Sequence, residues 1–348
     1  MRRLLADAET SSFSADVSAR AAAKPKLERG KIASVSLDLD NLWSYMKTHG
    51  DAGWEALPSY LDVVVPRVLD FLNQRNLSIT FFIVGLDADQ PAHQKVLRSI
   101  VEAGHEVGNH SYHHEPWLHL YSQEAINDEL ARTEDAIEAA TGVRPNGFRG
   151  PGFSFSPTLL RILKQRGYLY DASTFPTFLG PLARAYYFAT STGLTEAERR
   201  QRAKLFGTFS EGLRPLSPYR WQTDAGSLLE IPVTTMPLFK VPFHASYLLY
   251  LACYCRWLAK CYFRWSVRMC RWTGTELSLL LHPLDFLGCD DTRRLDFFPA
   301  MSTSSKDKLA LMHSFFDTLT DSFTLLPMGQ HAEVISHRRA LPVRTPST

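Results

Sequence analysis

Long hydrophobic runs are missing from this chain of 348 residues. The stretch Val241–Cys255 carries no Lys, Arg, Asp or Glu, but it is shorter than the roughly 20 residues a membrane-spanning helix needs. The first thirty residues contain no apolar core of a secretory signal and read as a mobile leader (1–30) on a cytoplasmic protein. Asp7, Glu9 and Asp16 interrupt that leader, against a transit peptide. A strong charge of either sign is also absent: the net charge is +2, which gives no case for a nucleic-acid partner. Cysteines number only five, and Cys253, Cys255, Cys261 and Cys270 crowd into one stretch without zinc-knuckle spacing. They read as free thiols packed as small apolar side chains in a reducing compartment. No internal repeat is present.

What remains is a β-α alternation. Runs rich in Val, Ile, Leu and Phe occur at Ile32–Leu37, Ser78–Val84, His105–Asn109, Asn146–Arg149, Tyr168–Tyr170, Ser227–Val233, Glu276–His282 and Phe323–Pro327. They lack strict alternation, as strands buried on both faces do. Helical patterns separate them. Leu61–Asn73 follows Pro58. Ser122 is a candidate N-cap for a helix that ends at Thr141-Gly142. Ser156-Pro157 opens another, closed by Gly167. The pattern predicts an α/β chain with a parallel sheet, rolled into a barrel if there are about seven or eight units.

Two segments break the rhythm. Residues 178–222 show no clear strand and contain the charged helical piece T-E-A-E-R-R-Q-R-A-K, an inserted lid-like segment. Residues 237–272 are aromatic and basic. Arg256, Lys260, Arg264, Arg268 and Arg271 fall on one helical face, and Tyr254, Trp257, Leu258, Tyr262, Phe263 and Trp265 on the others. That is the pattern of an amphipathic helix in a membrane interface, or of one packed on the barrel with its basic stripe in water. Residues 337–348 read as a disordered tail.

In a β/α barrel, reactive groups gather where strands end at the C-terminal rim. Those positions here carry Asp38 and Asp40, then His110 and His114, then Arg149, Asp171 and His282. His110 and His114 are four apart and project to one side of a helical turn. With one carboxylate they leave open positions on a metal ion, as a catalytic ion requires. His113 lies off that face, and the other histidines, His244 among them, read as structural.

These motifs resemble the polysaccharide deacetylase family, the NodB-homology or carbohydrate esterase family 4 enzymes. S-L-D-L-D, T-F-F, H-S-Y-H-H, F-R-G-P-G-F-S and L-L-L-H follow in the family's order over roughly Lys31 to Pro327. The resemblance implies a distorted (β/α) barrel of about seven parallel strands, spanning 31–336. It also implies divalent-metal-dependent removal of an N-acyl group from an amino sugar. Asp40, His110 and His114 would hold the ion, expected to be zinc. Asp38 would be the general base, His282 the general acid, and Arg149 the partner of Asp38. Gly152 can offer an N–H to an oxyanion.

The chain departs from the family in places. Leu39 separates the acids and Asn41 follows them where glycine is common. Gly152 replaces an aromatic residue. Asp171 stands where the family has an acid that tunes the final histidine, or else it caps a helix. The segment I-P-V-T, Ile231–Thr234, is similar to one in a deformylase of an arabinose phospholipid. With the 241–272 segment at the inner face of a membrane, the expected substrate is an amino-sugar glycan precursor or glycolipid. Alternatives are a hydrolase of small amides or cyclic imides, and a catalytically dead carbohydrate-binding protein at the membrane.

Overall fold

A computed structural model describes residues 31–180, 209–337 and 341–346. The strands are β1 (Ile32–Asp38), β2 (Thr80–Ile83), β3 (Glu106–Asn109), β4 (Gly147–Phe148), β5 (Tyr170–Asp171), β6 (Tyr219–Thr223), β7 (Gly226–Glu230), β8 (Leu277–Leu281), β9 (Thr324–Leu326) and β10 (Val343–Arg344). Their order is β10-β6-β7-β5-β4-β3-β2-β1-β8, with β9 also paired to β1. All pairings are parallel except β6 with β7. Every residue of β1 is buried, Ser34, Ser36 and Asp38 included, as in a strand covered on both faces. The strand path curls on itself: just past β7, Thr234 N donates to Ser278 O of β8 (3.0 Å), and Ser278 N donates to Thr234 Oγ1 (2.8 Å). This side-chain-assisted stitch stands where a regular ladder would close the ring.

The helices are α1 (Leu42–His49), α2 (Leu61–Asn73), α3 (Gly85–Ala88), α4 (Gln94–Glu102), α5 (Gln123–Thr141), α6 (Pro157–Gln165), α7 (Ala245–Tyr254), α8 (Arg256–Thr273), α9 (Ser305–Thr320) and α10 (Met328–Ser336). The expected caps are present. Ser122 accepts from Ala125 N, Ser156 accepts from Leu159 N, and Gly142 ends α5 in the left-handed conformation. Inside the barrel, bulky rings lie over glycines. A Cβ on Gly108 would come within 2.5 Å of the Phe82 ring, and one on Gly147 within 2.1 Å of Tyr170. Those two aromatic rings fill the space the glycines leave.

Two expectations change here. Within 178–222, β6 pairs with β7 over Tyr219–Thr223, with Tyr219 and Trp221 buried. Within 337–348, expected as a tail, Val343–Arg344 pair with Arg220–Trp221. The charged piece T-E-A-E-R-R-Q-R-A-K lies outside the described residues.

In the aromatic segment α8 has distinct faces. Ala259, Phe263, Val267 and Cys270 are buried, and Phe263 packs on Phe315 of α9. Trp257 (72% exposed), Trp272 (70%) and Trp265 (46%) remain outside. The basic stripe is partly tied down: Arg256 pairs with Asp307 (2.8 Å) and Arg271 donates to Ser322 O (3.0 Å). No described helix is long and apolar enough to cross a membrane.

Gly147→Ala forces a methyl group into the Tyr170 ring. We expect a loss of about 1–3 kcal/mol, read as a lowered midpoint in chemical denaturation with an unchanged slope.

Candidate active site

The rim is built around a buried arginine. Arg149 follows β4 and is 0% exposed. Its Nη1 donates to Asp38 Oδ1 (2.8 Å) and Ser36 Oγ (2.8 Å), and its Nε donates to Ala172 O (3.0 Å). The guanidinium lies over the Phe82 ring at 4.6 Å. A guanidinium is expensive to bury unless its N–H groups find partners; here β1 and the residue after β5 take Nη1 and Nε, and Nη2 meets only Met328 Sδ (3.6 Å). Asp38 is thereby held at the end of β1 with one oxygen engaged.

The backbone carbonyl of the same arginine orients the first histidine. His110 Nδ1 donates to Arg149 O (2.6 Å), which leaves Nε2 directed at Asp40. His110 Nε2 lies 3.3 Å, and His114 Nε2 2.9 Å, from Asp40 Oδ1. The donor atoms of Asp40, His110 and His114 all fall within 4.8 Å of one another, and all three residues are buried. Burial pushes the Asp40 carboxyl up, but His114 and His110 together hold it well below the usual carboxylate range. Burial likewise pulls His110 down, and the carboxylates of Asp38 and Asp40 outweigh it and raise the imidazole.

The two histidines do not share a helical turn, as the four-residue spacing suggested. Ser111 and His114 both have positive φ (59° and 52°), so the loop is an irregular turn that brings the rings to 5.0 Å. Glu129 of α5 holds this turn: its Oε2 accepts from Tyr112 N (2.9 Å) and His113 N (3.1 Å), and its Oε1 meets His113 Nδ1. His113 thus faces away from the donor set.

A divalent ion fits this donor set. With Nδ1–H of His110 committed to a carbonyl, its Nε2 lone pair points at a carboxylate oxygen that has no hydrogen-bond donor. Lone pairs of two imidazoles and a carboxylate converging in a buried space are stabilised by a cation. Three ligands leave coordination positions open for reactants.

His282 ends β8 and is held from the other side. Its Nδ1 lies 3.2 Å from Ser246 Oγ, Ser246 Oγ donates to Asp285 Oδ1 (2.8 Å), and His282 N donates to Asp285 Oδ2 (2.8 Å). The acid supporting the final histidine is therefore Asp285, through Ser246. Asp171, the residue expected there, is engaged elsewhere: Ser173 Oγ donates to its Oδ1 (2.5 Å), and it faces Glu230. Burial and then Asp171 push the Glu230 carboxyl well above its ordinary value. Glu230 also accepts from Trp221 Nε1 (2.9 Å) and Thr174 N (3.1 Å). This pair braces the barrel wall, and Ser173 Oγ in turn accepts Gly150 N (2.8 Å).

Gly152 is exposed with φ 58°, in the loop after Arg149, and a Cβ there would come within 3.1 Å of Pro116. The aromatic wall missing at Gly152 is supplied next door by Phe153, stacked on Phe175 at 4.7 Å. His244, read as structural, lines the cleft too. Its ring lies 5.8 Å from His282 and 5.7 Å from Phe175. Burial, then His282 and Arg149, push its imidazole well below the ordinary value. Tyr45 also belongs to the rim, where burial and the neighbouring Asp40 carboxylate push its phenol up. No local motif marks Ser246, Asp285, His244 or Tyr45.

Replacing both His110 and His114 with Ala should abolish stoichiometric binding of a divalent ion, measured by metal analysis after dialysis. Full occupancy in that variant is the contrary result.

The family model "Polysaccharide deacetylase" matches residues 51–170, which include His110, His114 and Arg149. A peptidoglycan deacetylase of Helicobacter pylori is 32% identical over 112 residues, covering 32% of this chain and 37% of that protein. A peptidoglycan-N-acetylmuramic acid deacetylase of Bacillus subtilis is 34% identical over 111 residues, covering 31% and 41%. The chain thus spans about two-fifths of the length of these curated relatives. A crystal structure described as a polysaccharide deacetylase of Mycobacterium smegmatis superposes with a TM-score of 0.61 at 22% identity, covering 92% of this chain and 95% of that one, and so shares the fold. Over residues 51–170 the chain is thus similar to the polysaccharide deacetylase family, and the motifs at Asp38 and His282 lie outside that matched region.

Proposed function

We propose that this chain hydrolyses the N-acyl group, acetyl or formyl, of an amino sugar carried on a lipid-linked or cell-envelope glycan precursor. The observation that supports it most is the joint presence, on one rim, of the Asp40–His110–His114 donor set, an ion-paired Asp38 and a braced His282. A binding module requires the first of these but neither of the others.

A divalent ion, zinc in our reading, supplies Lewis acidity and a nucleophile usable near neutral pH. Asp38 accepts the proton that the attacking water gives up. Arg149 pairs with its other oxygen and so holds the carboxylate in place beside the donor set. Gly152 N–H donates to the developing oxyanion. His282 gives a proton to the departing amine, with Ser246 and Asp285 setting its ring orientation. Phe153 and Phe175 offer a face for a sugar ring.

The lipid-linked substrate is supported by α8. Its three exposed tryptophans adjoin Arg264 and Arg268, which are exposed as well. Aromatic rings at the lipid boundary with cations at anionic head groups make an interfacial helix. Tyr262 of α8 donates to Pro242 O (2.9 Å), two residues before His244, so this helix is anchored beside the cleft. The protein would then work peripherally at the inner membrane face. A small soluble amide or imide would need no such face.

Asp38→Asn should retain the ion and lose at least about 100-fold in turnover of N-acyl amino sugars on polyprenyl phosphate. Near-native turnover in that variant would remove Asp38 from the role of base. Native protein should sediment with anionic vesicles, with each basic residue contributing about 1 kcal/mol, weakened by salt. Changing Lys260, Arg264 and Arg268 to Glu and Trp257 and Trp272 to Ser should release it with the barrel intact. Equal sedimentation of the two proteins would leave the lipid-linked substrate without its support.

A further inference from the structure

Asn41 occupies the position after the acidic pair where the family commonly has glycine, and its amide is fully used. Its Oδ1 accepts from Leu42 N (2.8 Å) and Tyr60 N (3.2 Å), while its Nδ2 donates to Ser59 Oγ (3.0 Å) and Asp87 Oδ1 (2.7 Å). Tyr60 in turn donates its hydroxyl to the Asp40 carbonyl (2.5 Å). The Asp40 arm of the donor set is therefore clamped from behind by a network that ends on Asp87.

Asp87 is also tied to the histidine arm. It sits in α3, whose Gly85 N donates to Ser111 O (2.9 Å) and whose Leu86 N donates to Tyr112 O (3.0 Å). Both acceptors lie between His110 and His114. Asp87 is 2% exposed; its Oδ1 also accepts from Trp43 Nε1 (2.9 Å), and its Oδ2 is buried without a hydrogen-bond partner. His114 Nδ1, on the ring nitrogen away from Asp40, is likewise buried and unpartnered. The imidazole beside the Asp87 carboxylate is that of His93, whose Nδ1 lies 3.6 Å from Oδ1, and the charge of His114 acts on it less. Groups that hold metal ligands from behind fix their orientation, and losing such support weakens metal binding.

We propose that Asp87 is a positioning residue of the metal centre, joining the Asp40 arm through Asn41 to the His114 arm through the backbone bonds of α3 to Ser111 and Tyr112. This rests on the reading of Asp40, His110 and His114 as metal ligands. It accounts for asparagine where glycine would otherwise serve, because glycine could not reach Asp87.

The test is zinc affinity of the full chain, measured by competition with a chromophoric chelator, together with the visible absorption of the cobalt(II)-loaded protein. Asp87→Asn keeps acceptors for Asn41 and Trp43 but removes the charge. It should weaken zinc binding about 10- to 100-fold and alter the cobalt bands. Asn41→Ala cuts the link to the Asp40 arm and should also weaken zinc binding, by at least several-fold. Trp43→Phe removes a partner of Asp87 belonging to neither arm, so its affinity should stay within twofold of native even with a lower melting temperature. If both Asp87→Asn and Asn41→Ala bind zinc within twofold of native, with native cobalt spectra, Asp87 is not a positioning residue. If the native chain binds no zinc or cobalt, the metal-centre reading fails first and this inference falls with it.

Discussion

The Arg149–Asp38 ion pair organises the candidate site. A guanidinium with no exposure sits inside the ring, touching β1 through Asp38 and Ser36, the end of β5 through Ala172 and the ring of Phe82 from β2. Removing one partner of such a buried pair typically costs about 3–5 kcal/mol, because the other charge is stranded. That constraint fixes where β1 and β4 end relative to each other. The same residue's carbonyl sets the tautomer of His110, so one arginine positions both the candidate base and a candidate ligand. Glycine at 108 and 147 follows from the same packing, since Phe82 and Tyr170 take the space beside the guanidinium.

Much of this was legible in the sequence because it is local. Buried parallel strands leave apolar runs, and β2 and β8 are such runs. Ser122, Ser156 and Gly142 announce helix ends by chemistry that acts within four residues. The donor set was legible because rim positions follow strands directly. β6 was not, though Y-R-W-Q-T alternates buried and exposed side chains, because it follows a polar insertion and pairs antiparallel at the end of the sheet. Two-residue β10 is too short to leave any pattern. The resemblance offered Asp171 either as the acid that tunes His282 or as a helix cap. The contacts that decide it, Ser246 to His282 across 36 residues and Ser246 to Asp285 across 39, leave no periodic trace. Glu230 claims Asp171 across a similar gap in the chain, and the Asn41–Asp87 link is hidden for the same reason.

The aromatic segment shows how a correct pattern can support two outcomes at once. The sequence offered a membrane-facing helix or one packed on the barrel. In the fold, α8 packs through Ala259, Phe263, Val267 and Cys270 and still leaves three tryptophans outside. Arg256 and Arg271 are spent on protein partners, so the cations available to a surface are fewer than the stripe suggested. The three tryptophans leave an exposed aromatic surface on this helix. It lies beside the segment leading to His244 and Ser246, because Tyr262 donates to Pro242 O and Ser246 meets His282.

The central claim is that this rim removes an acyl group from an amino sugar in the cell envelope. Mass spectrometry of envelope glycolipids tests it most directly, comparing cells with the native chain and cells carrying the His110→Ala/His114→Ala form. The account predicts that the altered cells accumulate an amino-sugar lipid heavier by one acetyl or formyl group. Identical glycolipid and glycan profiles in the two strains would contradict it.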